Sequence, residues 1–224
     1  VYSGCFQGEV LKDQLNQTRM MLGLQEEAFR YPLETGEMFQ APEVILSYSS
    51  EGMNRLSQNL HHCIRQHICR GKYKEEIRPI LINSWEAAYF DFTGDTIYEL
   101  AKAAKEVNID MLVMDDGWFG KRNKDDSSLG DWVVNEEKIK GGLKNLVDKV
   151  NEIGLAVGIW FEPEMISEDS DLYRKHPDWA IRIPDRAPMR SRYQLVLDMA
   201  NPEVQEYLFR VMSNVLHLSL IHIS

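Results

Sequence analysis

Five short clusters combine residue types that can do chemistry. The first, Asp115-Asp116-Gly117-Trp118-Phe119-Gly120, sets two adjacent carboxylates at the end of an apolar run. Neighbouring carboxylates repel, and the repulsion is costly unless something binds them. Successive side chains on a strand point opposite ways, but a turn at Gly117 lets both face one side. Ionised carboxylates accept several hydrogen bonds each, which suits the hydroxyl groups of a sugar. The same pair suits a divalent cation, or the ordering of its own loop. The residues by themselves leave all three open.

The second cluster is Trp160-Phe161-Glu162-Pro163-Glu164-Met165. A Trp at a strand end can lay its apolar face against a pyranose ring, or simply pack in the core. Glu162 and Glu164 are placed either for catalysis or to hold neighbouring Trp and Arg side chains. Asn83-Ser84-Trp85-Glu86 is a weaker cluster of the same kind. In Arg190-Ser191-Arg192-Tyr193-Gln194 an arginine can pair with a pocket carboxylate or a substrate oxygen, or stay solvated in its loop. His61-His62-Cys63, His67 and Cys69 offer metal-ligand types, but on an amphipathic linker helix and at no zinc spacing. No serine nucleophile elbow, HExxH or cysteine–histidine signature is present. Asp125, Asp126, Glu136-Glu137 and most lysines read as solvated faces.

The elements that must position these groups change character along the chain. In the first 75 residues, Val1–Val10 and Glu43–Tyr48 read as strands separated by turn signals such as Tyr31-Pro32 and Ala41-Pro42. Met53–Cys69 reads as a helix, with Leu56, Leu60 and Ile64 on one face. From Pro79 onward, strands alternate with helices. Expected strands are Pro79–Trp85, Asp110–Asp116, Leu155–Glu162 and Gln194–Met199. Expected helices are Thr96–Val107, Leu143–Ile153 stopped by Gly154, and one opened by Pro202 with Asn201 as its cap. Strands apolar on both faces and alternating with helices imply a parallel sheet. No Gly-rich phosphate loop follows the first strand, against a dinucleotide fold. The polar clusters all follow strands, and in a (β/α)8 barrel those points converge on the catalytic face. Three or four βα units make about half a barrel.

Composition narrows the partners. Of 224 residues, 44% are hydrophobic and 27% charged, so a packed core is expected. A net charge of −10 argues against nucleic acid and against an anionic membrane surface. No uninterrupted apolar run is long enough to span a bilayer. Three cysteines are too few for a disulfide framework. The chain starts at Val1 and ends in Leu218-Ser219-Leu220-Ile221-His222-Ile223-Ser224. That string resembles a translated sequencing adapter and is expected to be a non-native tail; the alternative is a natural apolar strand.

With these motifs in order, the sequence resembles glycoside hydrolase family 36, the bacterial α-galactosidases. The resemblance also rests on Gly36-Glu37-Met38-Phe39-Gln40-Ala41-Pro42-Glu43, Ser127-Ser128-Leu129-Gly130-Asp131-Trp132, His176-Pro177-Asp178-Trp179 and Gln194-Leu195-Val196-Leu197-Asp198. It implies an α/β fold: a partial (β/α)8 TIM barrel preceded by the C-terminal part of a β-sandwich. Residues 1–52 then end the sandwich, 53–78 form a helical linker, 79–217 begin the barrel, and 218–224 are the tail. The implied activity is hydrolysis of terminal α-D-galactose from melibiose- and raffinose-type galactosides, with retention, without metal or other cofactor. Asp115 and Asp116 resemble the pair binding galactose O4 and O6, Trp160 lines the galactose subsite, and Arg192 stands near it. The family's nucleophile and general acid fall beyond these residues, so no catalytic residue is assigned and the chain alone is expected to be inactive. The resemblance also implies a cytoplasmic homotetramer. The competing expectation is a non-catalytic galactoside-binding protein.

Overall fold

The computed structural model of the chain describes residues 6–27, 29–218 and 221–223. The first part of the expected Val1–Val10 strand and part of the tail lie outside them. The chain divides into two compact units, Val1–Glu76 and Ile77–Ser224.

In the first unit, β1 (Phe6–Lys12) pairs antiparallel with β2 (Thr18–Leu24), Phe6 opposite Leu24 and Lys12 opposite Thr18. Asp13 makes the turn. Its Oδ1 accepts the backbone N–H groups of Leu15 and Gln17 at 2.8 and 2.9 Å, giving the chain a local alternative to continued pairing. The segment Glu43–Tyr48, expected as a strand, is irregular. It has the apolar content of a strand but joins no strand ladder among the described residues, and the ladder rather than composition makes a strand. The expected helix from Met53 to Cys69 is α1 (Met53–Cys63) followed by a π-helical turn, Ile64–Ile68, after which Cys69 is extended.

The second unit is built on a parallel sheet. Its strands are β3 (Leu81–Asn83), β4 (Met111–Met114), β5 (Ala156–Trp160) and β8 (Ile221–Ile223), paired in that order. Helices connect them: α2 (Trp85–Ala88) and α3 (Gly94–Glu106), then α4 (Gly142–Glu152), then α6 (Pro202–Leu216). Two further strands, β6 (Met165–Ser167) and β7 (Gln194–Val196), pair antiparallel after β5, with the short α5 (Asp171–Lys175) between them.

Local chemistry fixes these elements. Thr93 and Thr96 cap α3 reciprocally, side chain to backbone in both directions. Asn201 accepts the N–H of Glu203, and Pro202 opens α6 where no donor is needed. Each long helix of the second unit buries one stripe: Ile97, Ala101 and Ala104 from α3, Leu143, Val147 and Val150 from α4, Val204 and Leu208 from α6. All four residues of β4 are buried, as a central parallel strand requires. The core therefore holds the bodies of β4 and β5 and leaves the loops after β3, β4 and β5 to carry polar groups.

Candidate functional site

The tip of β4 is tied to the tip of β3. Ser84 donates its N–H to the Val113 carbonyl and accepts the N–H of Asp115 on its Oγ, both at 3.0 Å. Asn83 then reaches across, and its Nδ2 donates to Asp115 Oδ2 at 2.6 Å. The other Asp115 oxygen accepts the N–H of Asp116 at 2.8 Å. Asp115 is half-buried and faces the β3 side of the site.

Asp116 has a different environment. Only 4% of it is exposed, and it faces Arg122, which is fully buried. The guanidinium clasps the carboxylate with Nε at 3.0 and 3.1 Å and Nη2 at 2.8 Å. Its remaining Nη1 donates to the carbonyls of Asp125 and Ser127 at 2.6 and 2.9 Å. Burial raises the Asp116 pKa above the ordinary carboxylate value, and Arg122 opposes the rise. A buried charge is tolerated when it is paired and its remaining hydrogen-bonding groups are met, as here. Each carboxylate oxygen keeps further acceptor capacity beyond the guanidinium.

Gly117 allows the chain to turn at once after this pair. Its φ is +102°, and a Cβ there would press on Phe90 and Phe92 at 3.1 and 3.2 Å.

The tip of β5 brings the aromatic groups. Trp118 is fully buried and donates its Nε1–H to the Trp160 carbonyl at 3.0 Å. Its ring stands edge-on to Phe119 and Phe161 at 5.2 and 5.4 Å. Trp160 lies roughly parallel to Phe119 at 6.5 Å and edge-on to Trp132 at 6.3 Å, and keeps part of its surface open. Two residues on, Glu162 accepts from Gln194 Nε2 at 3.2 Å. Burial raises the Glu162 pKa; the nearby positive charge of Arg192 opposes this, while Glu164 and Asp116 add to it.

Of the residues singled out in the sequence, Asp115 and Asp116 sit side by side at one strand tip, and Asp116 is within electrostatic reach of Glu162 two strand positions beyond Trp160. Arg192 is exposed on a left-handed turn, φ +51°, with its charge felt at Glu162. Arg190 pairs instead with Glu168 at 2.7 Å. Sequence reasoning missed Arg122. The one available signal was a cation six residues after a carboxylate doublet, inside a loop with two positive-φ glycines. It also assigned no role to Gln194 or to Lys138. Among the described residues no three His, Cys, Asp or Glu side chains cluster as a metal site, the His61–Cys69 segment included. A cavity of about 610 Å³ opens beside the same β4 loop, walled by Lys121, Asp131, Arg174, His176 and Tyr207 among others; it does not include Asp115, Asp116, Trp160 or Arg192.

The melibiase family model matches residues 38–223. The chain belongs to the melibiase family, glycoside hydrolase family 36. It is 65% identical over 209 residues to the bifunctional α-galactosidase/sucrose kinase AgaSK of Mediterraneibacter gnavus, covering 93% of this chain and 22% of that protein. Its structure is similar to the family 36 α-galactosidase AgaB of Geobacillus stearothermophilus, with TM-score 0.93 and 46% identity over 97% of this chain and 30% of AgaB. It is also similar to a doubly substituted AgaA from the same organism solved in complex with raffinose, with TM-score 0.91 and 45% identity over 94% of this chain and 29% of that one. The chain thus spans under a third of the length of these relatives, which have mixed α and β content as it does.

Proposed function

We propose that these residues form the galactose-holding wall of an α-galactosidase that removes terminal non-reducing α-D-galactose from melibiose- and raffinose-type galactosides with retention of configuration. The parallel βα units are then the opening part of a (β/α)8 barrel, residues 79–217. Residues 1–52 are the end of a β-sandwich and 53–78 the linker. The observation that carries the reading is the convergence of carboxylates at adjacent strand tips. Asp115 and Asp116 have paired partners on one side and acceptor capacity left on the other, and the part-open Trp160 ring follows at the next strand tip.

In this reading Asp115 and Asp116 accept hydrogen bonds from galactose hydroxyls, O4 and O6 by family resemblance. Trp160 covers an apolar sugar face. The charge of Arg192 opposes the rise that burial imposes on the Glu162 pKa, and its side chain contacts the substrate side of the site. None of the four is the nucleophile or acid. A retaining glycosidase needs two carboxyl groups roughly 5–5.5 Å apart on either side of the anomeric carbon, one of them free to attack it. Asp116 is bound on both oxygens by Arg122, which suits binding and opposes attack. The catalytic pair comes from beyond residue 224.

The test uses p-nitrophenyl α-D-galactopyranoside with the whole protein and with residues 1–224 alone. The whole protein hydrolyses it, undiminished by exhaustive chelation, and residues 1–224 do not. Turnover by residues 1–224 alone overturns the assignment of the catalytic pair. Inactivity of the whole protein overturns the galactosidase reading. Loss of activity on chelation returns Asp115 and Asp116 to the metal alternative.

A further inference from the structure

The ammonium of Lys138 is enclosed by three backbone carbonyls from two loops. Nζ donates to Phe90 at 2.8 Å, to Gly117 at 3.1 Å and to Arg122 at 3.3 Å, and lies 4.7 Å from the centre of the Phe92 ring. An ammonium has three donors, and all three are used. Lys138 makes no ion pair among the described residues, so its charge is balanced by carbonyl dipoles and by Asp116 and Asp91 at longer range.

The identity of the three carbonyls matters more than their number. Phe90 follows α2 and packs edge-on against Trp85 at 5.1 Å, in the loop after β3. Gly117 is the residue directly after Asp116. Arg122 is the partner that clasps Asp116. One cation therefore closes the β4 loop at both ends of its 117–122 span and fastens it to the β3 loop. The Asp116 carboxylate is held from the chain side through Gly117 and from the guanidinium side through Arg122. A half-buried lysine is a costly way to order a loop, since its partners must replace the water it loses. A point charge with three convergent acceptors fixes three backbone positions at once, which an apolar side chain does not.

We propose that Lys138 is a positioning residue for sugar recognition: it sets the register between the β3 loop and the Asp116–Arg122 pair, and through them the placement of the Asp116 carboxylate against the galactose hydroxymethyl group. This rests on the galactosidase reading above. Lys138 does not touch substrate.

The experiment compares hydrolysis of p-nitrophenyl α-D-galactopyranoside with that of its 6-deoxy counterpart, p-nitrophenyl α-D-fucopyranoside, by the whole protein. Lys138→Met lowers kcat/KM for the galactoside on the order of 100-fold, the scale of misplacing a binding group by about an ångström. The loss for the 6-deoxy substrate is smaller, so the preference between the two narrows. Lys138→Cys behaves like Lys138→Met until treated with 2-bromoethylamine, which rebuilds an ammonium of nearly the same reach and restores the preference. Wild-type protein treated alongside controls for Cys5, Cys63 and Cys69. A merely structural lysine gives a different pattern: equal losses for both substrates, in kcat only, from a smaller folded fraction. That pattern, or unchanged kinetics in Lys138→Met, or no recovery on aminoethylation, overturns the proposal while leaving the galactosidase reading intact. A wild-type protein that cleaves neither substrate overturns both.

Discussion

Replacing Arg122 by Met removes the only guanidinium among the described residues that meets the Asp116 carboxylate, while leaving that carboxylate buried. Three short contacts to Asp116 disappear, at 2.8, 3.0 and 3.1 Å, and the carbonyls of Asp125 and Ser127 lose their donor. The pair is shielded from water, with side-chain exposures of 0% and 5%, so solvent screening offers little relief. Breaking a buried pair from one side costs about 3–5 kcal/mol. The loss falls on the 117–128 loop, which can open without the sheet unfolding, so amide exchange is the direct readout. Two reporters are the Lys121 N–H, bound to Ser128 Oγ at 2.9 Å, and the Ser128 N–H, bound to the Asp169 carbonyl at 2.8 Å. At about 1.4 kcal/mol per tenfold, their exchange accelerates by roughly two to three and a half orders of magnitude. Asp116→Asn together with Arg122→Met removes the stranded charge, and the double variant recovers about 1.5–3 kcal/mol relative to the sum of the single effects. Exchange unchanged in Arg122→Met, or strict additivity in the double variant, refutes the view that this pair holds the loop.

Three smaller perturbations test neighbouring features. Glu162 has its pKa raised by burial, so its ionised form is disfavoured in the folded protein; its favourable share is complete below the ordinary glutamate value and is lost as pH rises through the raised one. Glu162→Gln therefore gains in melting temperature relative to wild type between pH 4 and 7, and a gap that closes over that range contradicts the sign. Tyr207 donates its hydroxyl to the Gly130 carbonyl at 2.6 Å and its pKa is pushed up to about 12, chiefly by burial. Tyr207→Phe costs about 1 kcal/mol by thermal melting and removes a phenol whose absorbance titrates only in that alkaline range. Gly120→Ala places a Cβ 2.9 Å from Ser128 Cβ at φ +50°, so a loss of about 1–2 kcal/mol is expected from the backbone alone, with the contact adding to it; a neutral result shows that the loop relaxes freely.

The helical half of the fold was legible because amphipathic spacing is local. α3, α4 and α6 occur where the apolar period places them, with Asn201 and Gly154 marking ends. The first three strands of the parallel sheet were legible as apolar runs closed by polar residues. Pairing was not, because it depends on partners far away in the chain. Glu43–Tyr48 looks like a strand and is none, while Thr18–Leu24 becomes one by returning on Phe6–Lys12. The same limit applied to the site. The carboxylate doublet and Trp160 stand out by type and place. Arg122 and Lys138 look like any loop cation, and their meaning lies in burial and in which carbonyls they reach. The Asn83–Asp115 link, 32 residues apart, becomes visible only when β3 and β4 lie in register, Asn83 beside Val113.

The order of strands across the sheet is also their order in the chain: β3, β4, β5, β8. Each arriving strand can dock on the one made just before it, and none must wedge between two already joined. A nascent chain leaving the ribosome can therefore lengthen this sheet from a single growing margin, each helix laid down before its next strand is complete. The growing margin at any moment is the newest strand, a brief template for stray extended peptides that the following residues then cover.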